Sequence, residues 1–441
     1  MSVESAPHVV IIGAGFSGLA AGYELSKRGI RVTIFESDAD IGGLAGSFNV
    51  GPTRLEKFYH HWFTNDVHIP ELVEELGQRD QVVFRPTRTG MYYAKSFFKL
   101  STPMDVMRFT PLPFVARIRL GLLALRARRV RDWRQLESLT AAEWLRTMGG
   151  DTVYRIVWEP LLRGKFGAFA EQISAVWFWN KLKLRGGSRG KGGEEQLAYY
   201  RGGFIALADK MAEFIVAHGG AIHRSTGVEG LSVVDGRVRG VVAKGATIAA
   251  DAVLATPALP IVADLVAPHA TPAYVASLRR IEYLANVCLV LDLDRRLSDI
   301  YWLNVNDPTF PFVGVVEHTN FEPPETYGGH HIAYLSKYLP ADDPLYKMSD
   351  DEVLAFSVPH IQRMFPGFDT KWIRDCHVWR ARYAQPVVER HYSSLIPAEE
   401  TPLPGLFICS MAQVYPEDRG TNYAVREGRR AGRELAARLA S

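Results

Sequence analysis

The sequence predicts an α/β protein in which one doubly wound parallel sheet is assembled from three separate stretches of chain. Two observations predict this class. A strand, a glycine-rich turn, a helix and a second strand follow one another within the first 40 residues, and further short strand patterns recur near residues 250 and 408. With 441 residues, the chain also exceeds the length that a single core usually serves, so we expect more than one co-folded domain.

The first β-α-β unit is the most regular pattern in the chain. His8–Ile12 is a short apolar run, residues 17–28 carry apolar side chains at helical spacing, and Arg31–Phe35 has a second strand pattern. A unit of this kind opens the parallel sheet of Rossmann-like domains.

The remaining pieces of this sheet are predicted much further along the chain. Short β runs occupy residues 228–256, with a hairpin signal at Asp235-Gly236, and a strand near 404–410 precedes a helix at 422–439. Between these pieces lie two insertions. Residues 100–200 are rich in Leu, Arg and Trp without strand alternation, which predicts helices, whereas residues 262–395 contain alternating segments, which predict a mixed sheet.

We therefore predict three structural parts. A nucleotide-binding domain is made of residues 1–85, 200–261 and 396–441, a helical region facing substrate or membrane spans 86–199, and a substrate-binding mixed-sheet domain spans 262–395.

Composition excludes several classes of protein. Hydrophobic residues at 47% and charged residues at 22% argue against disorder and against a polytopic membrane protein. The 51 Lys and Arg against 48 Asp and Glu give a net charge of only +3, so no nucleic-acid partner is expected. The 3 cysteines lack metal-ligand spacing, and the N-terminus lacks a signal-peptide pattern. We expect a cytoplasmic protein without a metal site.

The motif Gly13-x-Gly15-x-x-Gly18 follows the first strand and opens the first helix. Its glycines allow a tight turn and a close approach of the backbone to a pyrophosphate at the helix N-terminus. Glu36 ends the second strand 18 residues after Gly18, where a carboxylate can accept hydrogen bonds from the ribose of an adenosine. This context predicts a dinucleotide site for NAD or FAD and disfavours NADP, whose extra phosphate Glu36 would repel.

A second glycine pair, Gly42-Gly43, follows the acidic residue within residues 37–47. Here the sequence resembles the flavoprotein superfamily of amine oxidases, protoporphyrinogen oxidases and phytoene-type desaturases, to which UDP-galactopyranose mutase is a more distant relative. The resemblance implies FAD and a discontinuous Rossmann-like FAD-binding domain of the GR2 type. The amine-oxidase form carries arginines beside the pair, whereas this chain has Asp40 and Leu44, which favours the desaturase-like or protoporphyrinogen-oxidase-like branches.

The resemblance extends to residues 410–428 and to a middle segment. In the family, the C-terminal helix closes on the ribityl and pyrophosphate groups, and the backbone at Val228 holds the adenine; an amphipathic helix that merely packs is the alternative. The cofactor-binding residues that the resemblance implies are Gly13, Gly15, Phe16, Ser17, Gly18, Glu36, Ser37, Gly42, Gly43, Leu44, Val228, Arg419, Asn422, Tyr423 and Ala424.

Candidate catalytic residues follow the second glycine pair, where related flavoproteins bring side chains toward the isoalloxazine. They are Lys57, Tyr59, His60 and His61. Adjacent side chains of an extended strand point in opposite directions, so at most one histidine faces the flavin. An imidazole with a pKa of about 6.5 can transfer a proton during C–H oxidation or stabilise the charge of reduced flavin. A packing or surface role is the alternative.

Residues 104–134 contain eight Arg and two Asp together with an apolar set that includes Phe114, Val115, Ile118, Leu120, Leu123 and Leu125. This composition is typical of a helix on an anionic lipid surface, and it predicts peripheral attachment to the inner face of the cytoplasmic membrane. A helix packed on the core with solvated arginines is the open alternative.

A basic loop at residues 184–193 can close over a phosphate group, or it can simply be solvated. Aromatic side chains further along can line an apolar cavity or belong to the core. The candidate substrate-binding residues are Arg163, Lys165, Arg185, Arg189, Trp302, Tyr334, Trp379 and Tyr383.

The predicted function is an FAD-dependent oxidoreductase that moves a hydride between flavin N5 and a carbon of a small molecule. The substrate is expected to be hydrophobic, isoprenoid-like or lipid-linked, or to bear a phosphate. An external electron acceptor or donor is required, because a second Gly-x-Gly-x-x-Gly domain is absent from the sequence. Two alternatives stay open: a non-redox flavoenzyme of the UDP-galactopyranose mutase type acting on a nucleotide sugar, and a flavin-bearing structural protein without turnover.

Overall fold

The computed structural model describes residues 6–99, 102–188 and 195–440. A five-stranded parallel sheet carries the predicted nucleotide-binding motifs. Its strands, in spatial order, are Ala221–His223, Arg31–Phe35, His8–Ile12, Ala252–Ala255 and Leu406–Ile408. Val10 pairs with Thr33 on one side and with Val253 on the other. Both N-terminal strands begin and end where the sequence predicts, and the α/β fold class is confirmed.

Alternate side chains of the first strand enter two different cores. Val9 and Ile11 pack with the helices Phe16–Ser26, Phe204–Ala217 and Thr421–Ala440 on one face of the sheet. Val10 and Ile12 pack on the other face against an antiparallel sheet. The strands of that second sheet are Val228–Val234, Arg237–Ala243 and Ala246–Ala249. The predicted hairpin at Asp235-Gly236 joins the first two of them.

A seven-stranded mixed sheet forms the second layer of the molecule. Its strands, in spatial order, are Ile373–Pro386, Tyr283–Leu293, His331–Leu339, Gly314–Glu317, Trp302–Val305, Thr89–Tyr93 and Ser96–Lys99. The last two strands lie within residues 86–199, where the sequence predicts mainly helix. They form a hairpin because Ala94 and Lys95 both adopt positive φ angles and so reverse the chain. The bounds of the three predicted parts otherwise remain predictions.

Two smaller sheets join these layers. One pairs Ser47–Val50 with Thr53–Glu56, and the other has the order Trp62–Phe63, Gln196–Tyr200 and Val82–Pro86.

Most of the predicted helical insertion is indeed helical. Its helices are Pro103–Arg108, Phe114–Ala127, Ala141–Gly149, Asp151–Val153, Glu159–Phe166 and Ala175–Gly187. A π-helical turn at Tyr154–Trp158 precedes Glu159, and the Asn306 side chain donates hydrogen bonds to the carbonyls of Ile156 and Val157 within it. The remaining helices are His68–Glu75, Leu259–Val266, Pro272–Leu278, Pro344–Lys347 and Asp350–Met364.

Within the described ranges, no helix has both the length and the apolar character that crossing a bilayer requires.

Candidate functional site

The glycine turn after the first strand is closely packed. Gly13 has a φ of +98°, and a Cβ atom there would lie 2.6 Å from Oγ1 of Thr256. A Cβ atom on Gly18 would lie 2.0 Å from the carbonyl oxygen of Gly13. Side chains at these two positions would therefore break the turn. A Cβ atom on Gly15, in contrast, would have Cα of Gly43 as its nearest neighbour at 3.9 Å, so the turn is open on that side.

The second glycine pair lies against the first glycine turn. The Gly42 N–H donates a 2.8 Å hydrogen bond to the carbonyl of Ala14. A Cβ atom on Gly43 would lie 3.2 Å from Cα of Gly15. The two glycine turns thus form one continuous backbone cradle.

Glu36 lies at the opening of this cradle, where its side chain is only 7% exposed. One carboxylate oxygen accepts the Ala14 N–H at 2.7 Å, and the other accepts the Asp38 N–H at 2.9 Å and the Ser37 hydroxyl at 3.2 Å. The Thr226 N–H donates to the Glu36 carbonyl at 2.7 Å, which brings the segment ending at Val228 beside the acidic residue.

The C-terminal helix, Thr421–Ala440, packs directly on the first helix. Cβ atoms added to Gly428 and Gly432 would lie 2.2 Å and 2.7 Å from the carbonyl oxygens of Ser17 and Ala21. Gly428 lies against Ser17, and four residues later Gly432 lies against Ala21, also four residues later. The two helices therefore run in the same direction. The C-terminal helix starts six residues earlier in this register, which extends its N-terminus by about 9 Å. Two helix N-termini therefore face the same end of the cradle.

These features fit a dinucleotide with an attached heteroaromatic ring. Helix N-termini stabilise a pyrophosphate, and a carboxylate accepts ribose hydroxyls. Among the buried polar atoms that lack a hydrogen-bond partner within the described residues are Oδ1 of Asn286, Oε1 of Gln385 and Nε of Arg419. Such unmet hydrogen bonds are costly in a native fold, and the carbonyl and N–H groups of an isoalloxazine are suited to satisfy them.

Two of the residues assigned to cofactor binding use their side chains elsewhere. Phe16 is buried, with its ring 6.2 Å from that of Phe204. The Asn422 side-chain oxygen accepts the N–H groups of His68 and Ile69, and so caps another helix. Only their backbones are available to a cofactor in this arrangement.

Three other residues assigned to cofactor binding, Leu44, Tyr423 and Ala424, are partly exposed. Leu44 lies in a short 3-10 turn, Gly43–Ala45, and Ala424 lies in the first turn of the C-terminal helix. Tyr423, beside it, has the guanidinium of Arg426 4.9 Å from its ring centre.

The candidate catalytic segment is tied to the second glycine pair. The Lys57 N–H donates to the Gly46 carbonyl at 2.9 Å, and the Lys57 ammonium lies 4.9 Å from the ring centre of Trp379. This anchor holds the following residues at one end of the cradle.

His60 is partly buried in this segment. Its Nδ1–H donates to the Phe58 carbonyl at 2.6 Å, and its ring lies 5.3 Å from that of Phe204. Burial lowers the pKa of His60 to about 4, and the positive charge of Arg419 also lowers it. The expectation of an ordinary imidazole pKa is therefore wrong for His60, which is neutral near pH 7.

The rings of His61 and Tyr59 contact a different set of neighbours. The Nδ1 atom of His61 is 2.9 Å from the Tyr301 hydroxyl. The His61 and Tyr59 rings lie 5.6 Å and 5.0 Å from Trp302. Burial raises the pKa of Tyr59 well above its usual value, so its hydroxyl stays protonated. The adjacent histidines thus have separate surroundings, while the prediction that only one faces the flavin stays a prediction.

A buried charge cluster lies beside Tyr59 and was not predicted as a unit. Asp418 is 5% exposed, and its carboxylate lies 2.6 Å from the Lys181 ammonium and 3.9 Å from that of Lys165. Arg419 donates to the Tyr338 hydroxyl at 2.9 Å. Burial alone would raise the pKa of Asp418, but the lysines and Arg419 hold it well below its usual range.

Sequence reasoning named Lys165 and Arg419 but missed Lys181, Asp418 and Tyr338. Asp418 lies next to Arg419 within residues 410–428, so its position in that segment was the one signal in the sequence that could have indicated it. Lys181 and Tyr338 lie in an ordinary helix and an ordinary strand, so only the tertiary fold reveals them.

A cleft of about 800 Å³ opens beside this cluster. Tyr338 contributes to its wall and also accepts the hydrogen bond from Arg419. Apolar side chains in the lining are Phe166, Phe169, Leu284, Val305, Phe310, Phe312 and Phe356. Among the predicted substrate residues, Arg163 lines the cleft, where its guanidinium pairs with Glu159 and Glu171.

The predicted aromatic substrate residues are not among the residues that line the cleft. Tyr334 is fully buried, and its hydroxyl donates to the Glu56 carbonyl at 2.7 Å, so it belongs to the core. Trp302 and Trp379 contact the segment 57–61 instead, and Tyr383 packs 5.5 Å from Tyr283. Strand register places Trp302, Tyr334 and Trp379 on one face of the mixed sheet, which packs with the core of the parallel sheet, and periodicity alone did not distinguish this face from the other.

The predicted basic loop is only partly described. Its first residues, 184–187, are helical rather than loop, because the helix Ala175–Gly187 continues through them. Arg189 and the side chain of Arg185 lie outside the described residues.

Comparison with solved structures reveals the same fold. An oxidoreductase from Methanosarcina mazei aligns with a TM-score of 0.73 and 19% identity, covering 95% of this chain and 99% of that one. A reduced UDP-galactopyranose mutase aligns with a TM-score of 0.75 and 14% identity, covering 98% and 96% of the two chains. At these identities the likeness shows the fold alone.

Sequence relatives match shorter stretches. Coproporphyrinogen III oxidase from Propionibacterium freudenreichii is 28% identical over 183 residues, which cover 38% of this chain and 33% of the relative. The chain thus matches about a third of the length of that relative. The family model described as flavin containing amine oxidoreductase matches residues 16–436. The predicted superfamily and its FAD cofactor are therefore confirmed, and the chain belongs to the flavin containing amine oxidoreductase family.

Proposed function

We propose that this chain is an FAD-dependent oxidoreductase that acts on a hydrophobic small molecule held in the cleft beside Tyr338. The observation that carries the proposal is that Tyr338 both lines the cleft and contacts Arg419 of the C-terminal segment. Tyr338 lines a cleft of about 800 Å³ and accepts a hydrogen bond from Arg419, whose buried Nε atom has no hydrogen-bond partner among the described residues and belongs to the C-terminal motif that the family resemblance assigns to the cofactor. FAD, when bound, supplies hydride exchange at N5.

The side chains around Tyr338 and Arg419 provide one fixed positive charge and two neutral polar groups. Arg419 stays positively charged, because a guanidinium does not lose its proton in proteins. It stabilises negative charge that develops nearby without any rearrangement. His60 and Tyr59 stay neutral, so they orient groups through hydrogen bonds rather than by carrying charge. Proton transfer to or from the substrate is left to solvent or to the substrate itself.

A hydrophobic substrate is favoured by the outer surface as well as by the cleft. The helix Phe114–Ala127 turns Leu120 and Leu123 into the core. The apolar set predicted from the sequence is therefore divided between two sides of the helix, because its other members point outward. The outward side chains are Phe114 at 60%, Val115 at 63%, Ile118 at 43%, Leu122 at 40% and Leu125 at 54% exposure.

Arginines surround that outward face. Arg119, Arg126, Arg128 and Arg129 are all exposed on or just after the same helix. Apolar side chains flanked by cations suit the interface of an anionic bilayer. We therefore propose that the enzyme attaches peripherally to such a membrane and takes its substrate there. An external electron acceptor or donor completes the reaction.

Anaerobic mixing of the FAD-loaded protein with candidate donors tests the proposal. Polyprenyl compounds and tetrapyrroles are suitable first donors, and the flavin absorbance is followed in a stopped-flow instrument. We expect bleaching in proportion to the donor oxidised. Turnover that requires pre-reduced flavin yet consumes no reductant would point to a mutase instead. A flavin that responds to no donor or acceptor would support a structural role.

A further inference from the structure

We propose that Asn306 is a positioning residue that fixes the width of the cleft beside Tyr338, and with it the thickness of the molecule that the cleft admits. The inference rests on the proposed function, because it takes this cleft to hold the substrate. It assigns the selection of substrates by shape to a buried side chain behind the cleft wall.

The cleft lies between two walls that come from different parts of the chain. One wall is made by Arg155 and by residues between 159 and 169 of the helical insertion. The other is made mainly by residues of the mixed sheet and its loops, between 305 and 312 and between 337 and 340. The distance between the walls therefore depends on the contacts that hold the insertion against the sheet.

Asn306 belongs to the sheet and reaches across to the insertion. It directly follows the strand Trp302–Val305, is 0% exposed, and donates its backbone N–H to the Tyr92 carbonyl at 2.9 Å. Its side-chain amide donates to the carbonyls of Ile156 and Val157 at 3.2 Å and 2.8 Å. The amide therefore joins the sheet to the π-helical turn from which the insertion wall begins.

The π-helical turn leaves a carbonyl for this amide. Within the turn, the Glu159 N–H donates to the Tyr154 carbonyl, five residues earlier. Pro160 follows, and because proline has no N–H it cannot donate to the Ile156 carbonyl, its partner in a regular α-helix. Backbone carbonyls in a protein interior normally have a donor, and the Asn306 amide supplies one. The reverse orientation of the amide would set its oxygen against two carbonyl oxygens.

Further along the same wall, the contacts with the sheet are less directional. A Cβ atom on Gly164 would lie 3.2 Å from Cγ2 and 3.5 Å from Cβ of Val313, so the helix Glu159–Phe166 packs closely there. The Lys165 ammonium lies 5.2 Å from the ring centre of Tyr338. Packing and cation–π contacts tolerate sliding, whereas hydrogen bonds depend steeply on distance and angle. The amide therefore sets the position of the helix, and the distance from Gly164 to Val313 reports it.

Disulfide trapping in the FAD-loaded protein measures the distance between the walls. The parent variant carries Gly164→Cys and Val313→Cys, whose Cβ atoms would be 3.5 Å apart, within the range of about 3.5–4.5 Å that a disulfide needs. Cys376, the partly exposed native thiol, is replaced by Ser. Titration in glutathione buffers gives the effective concentration of one engineered thiol beside the other, and we expect the parent to cross-link readily.

Asn306→Ala in this parent should lower the effective thiol concentration about tenfold, as expected when two hydrogen bonds are lost. The matched control is Asn304→Ala on the same strand, whose amide donates to the Gly90 carbonyl within the sheet. It should cross-link like the parent. Pro160→Ala restores an N–H for the Ile156 carbonyl, so Asn306→Ala in that background should lose about threefold or less, and this pair serves where Asn306→Ala alone folds poorly.

Alcohols of different thickness test the selection by shape. Calorimetric titration with slim n-decanol and with bulky adamantylmethanol gives a ratio of affinities, which Asn306→Ala should shift toward the bulky alcohol by about fivefold or more. Forming the engineered cross-link in Asn306→Ala should restore the ratio of the wild type. A merely structural role of Asn306 would not give this rescue.

The same cross-linking in Asn306→Ala and in its parent would overturn the role of Asn306, as would equal losses in Asn306→Ala and Asn304→Ala. An affinity ratio that stays constant when the amide is removed would overturn the selection by shape. A tenfold loss that persists with Pro160→Ala would contradict the pairing of the amide with the turn. A wild type that binds neither alcohol would instead contradict the hydrophobic cleft of the proposed function, and the cross-linking would still decide the role of Asn306.

Discussion

Gly428 of the C-terminal helix lies directly on the carbonyl of Ser17 in the first helix, so closely that a Cβ atom would be 2.2 Å from that oxygen. This contact sets the spacing of the two helix N-termini that face the cofactor. Gly428→Ala must therefore push the helices apart.

We expect Gly428→Ala to lower the free energy of unfolding by about 1–3 kcal/mol, the usual cost of overpacking, and to reduce the FAD content of the purified protein. Thermal melts and the flavin absorbance ratio measure both. Gly121→Ala is the control, because a Cβ atom at that helical position would have no other atom within 4 Å. It should be neutral or slightly stabilising. Equal behaviour of the two variants would contradict the contact.

Replacing Glu36 should release the cofactor. The Glu36 carboxylate already orders the Ala14 and Asp38 N–H groups and is the acceptor offered to the ribose. Loss of one or two charged hydrogen bonds should weaken FAD binding by about 2–4 kcal/mol in Glu36→Ala, measured by equilibrium reconstitution of the apoprotein. Asp38→Ala, at an exposed neighbouring carboxylate, serves as the control and should retain FAD. Undiminished affinity in Glu36→Ala would remove Glu36 from the cofactor site.

Glu56 should make stability depend on pH. Its carboxyl is 1% exposed, and burial raises its pKa from 4.5 to about 7 although it accepts hydrogen bonds from Tyr199 and Phe204. A folded-state pKa above the unfolded one gives stability that is lost as pH rises through 7. Between pH 6 and pH 8, the wild type should lose about 1 kcal/mol relative to Glu56→Gln. Denaturant melts at both pH values measure this difference, and a constant difference would refute it.

Asp418 should be more important for stability than its neighbour Glu417. Asp418→Asn leaves Lys181 and Arg419 without their buried counter-ion, which should cost about 3 kcal/mol. Glu417→Gln removes a more exposed pair with Arg426 and should cost about 1 kcal/mol or less. Adding Lys181→Met to Asp418→Asn should recover part of the loss, because one unpaired cation is removed. A loss that does not recover would show that Asp418 acts through packing rather than charge.

The outward face of the helix Phe114–Ala127 should bind anionic vesicles. Phe114→Ser together with Val115→Ser should lower sedimentation with phosphatidylglycerol vesicles, as should neutralising Arg126, Arg128 and Arg129 with glutamine. Val216→Ser, at a similarly exposed valine on another helix, is the control and should change nothing. Sedimentation that is the same for all variants would exclude this face as the membrane contact.

The cofactor cradle could be predicted from sequence because the residues that form it lie close together along the chain. Gly13 and Gly18 belong to one tight turn in which a Cβ atom would clash. Glu36 ends the second strand of the same β-α-β unit. Hydrophobic periodicity placed the strands His8–Ile12 and Arg31–Phe35 for the same reason.

The substrate side could not be predicted in the same way. Lys165, Lys181 and Asp418 come together from two helices and a distant turn, and no short pattern records their meeting. Tyr334 and Trp379 look like cavity residues in the sequence, yet Tyr334 belongs to the core and Trp379 lies under Lys57. The face of a sheet that a side chain occupies depends on register with strands far away, which composition does not encode.

The order of strands in the parallel sheet has a consequence during synthesis. Val9 pairs with Val32 on one side, but its partner on the other side, Ala252, is synthesised about 220 residues later. At ribosomal speeds of about 5–20 residues per second, one edge of the first strand stays unpaired on the order of tens of seconds. Open apolar edges invite pairing with other chains. The nascent polypeptide should therefore depend on chaperones, and slower, cooler expression should raise the yield of protein that escapes inclusion bodies.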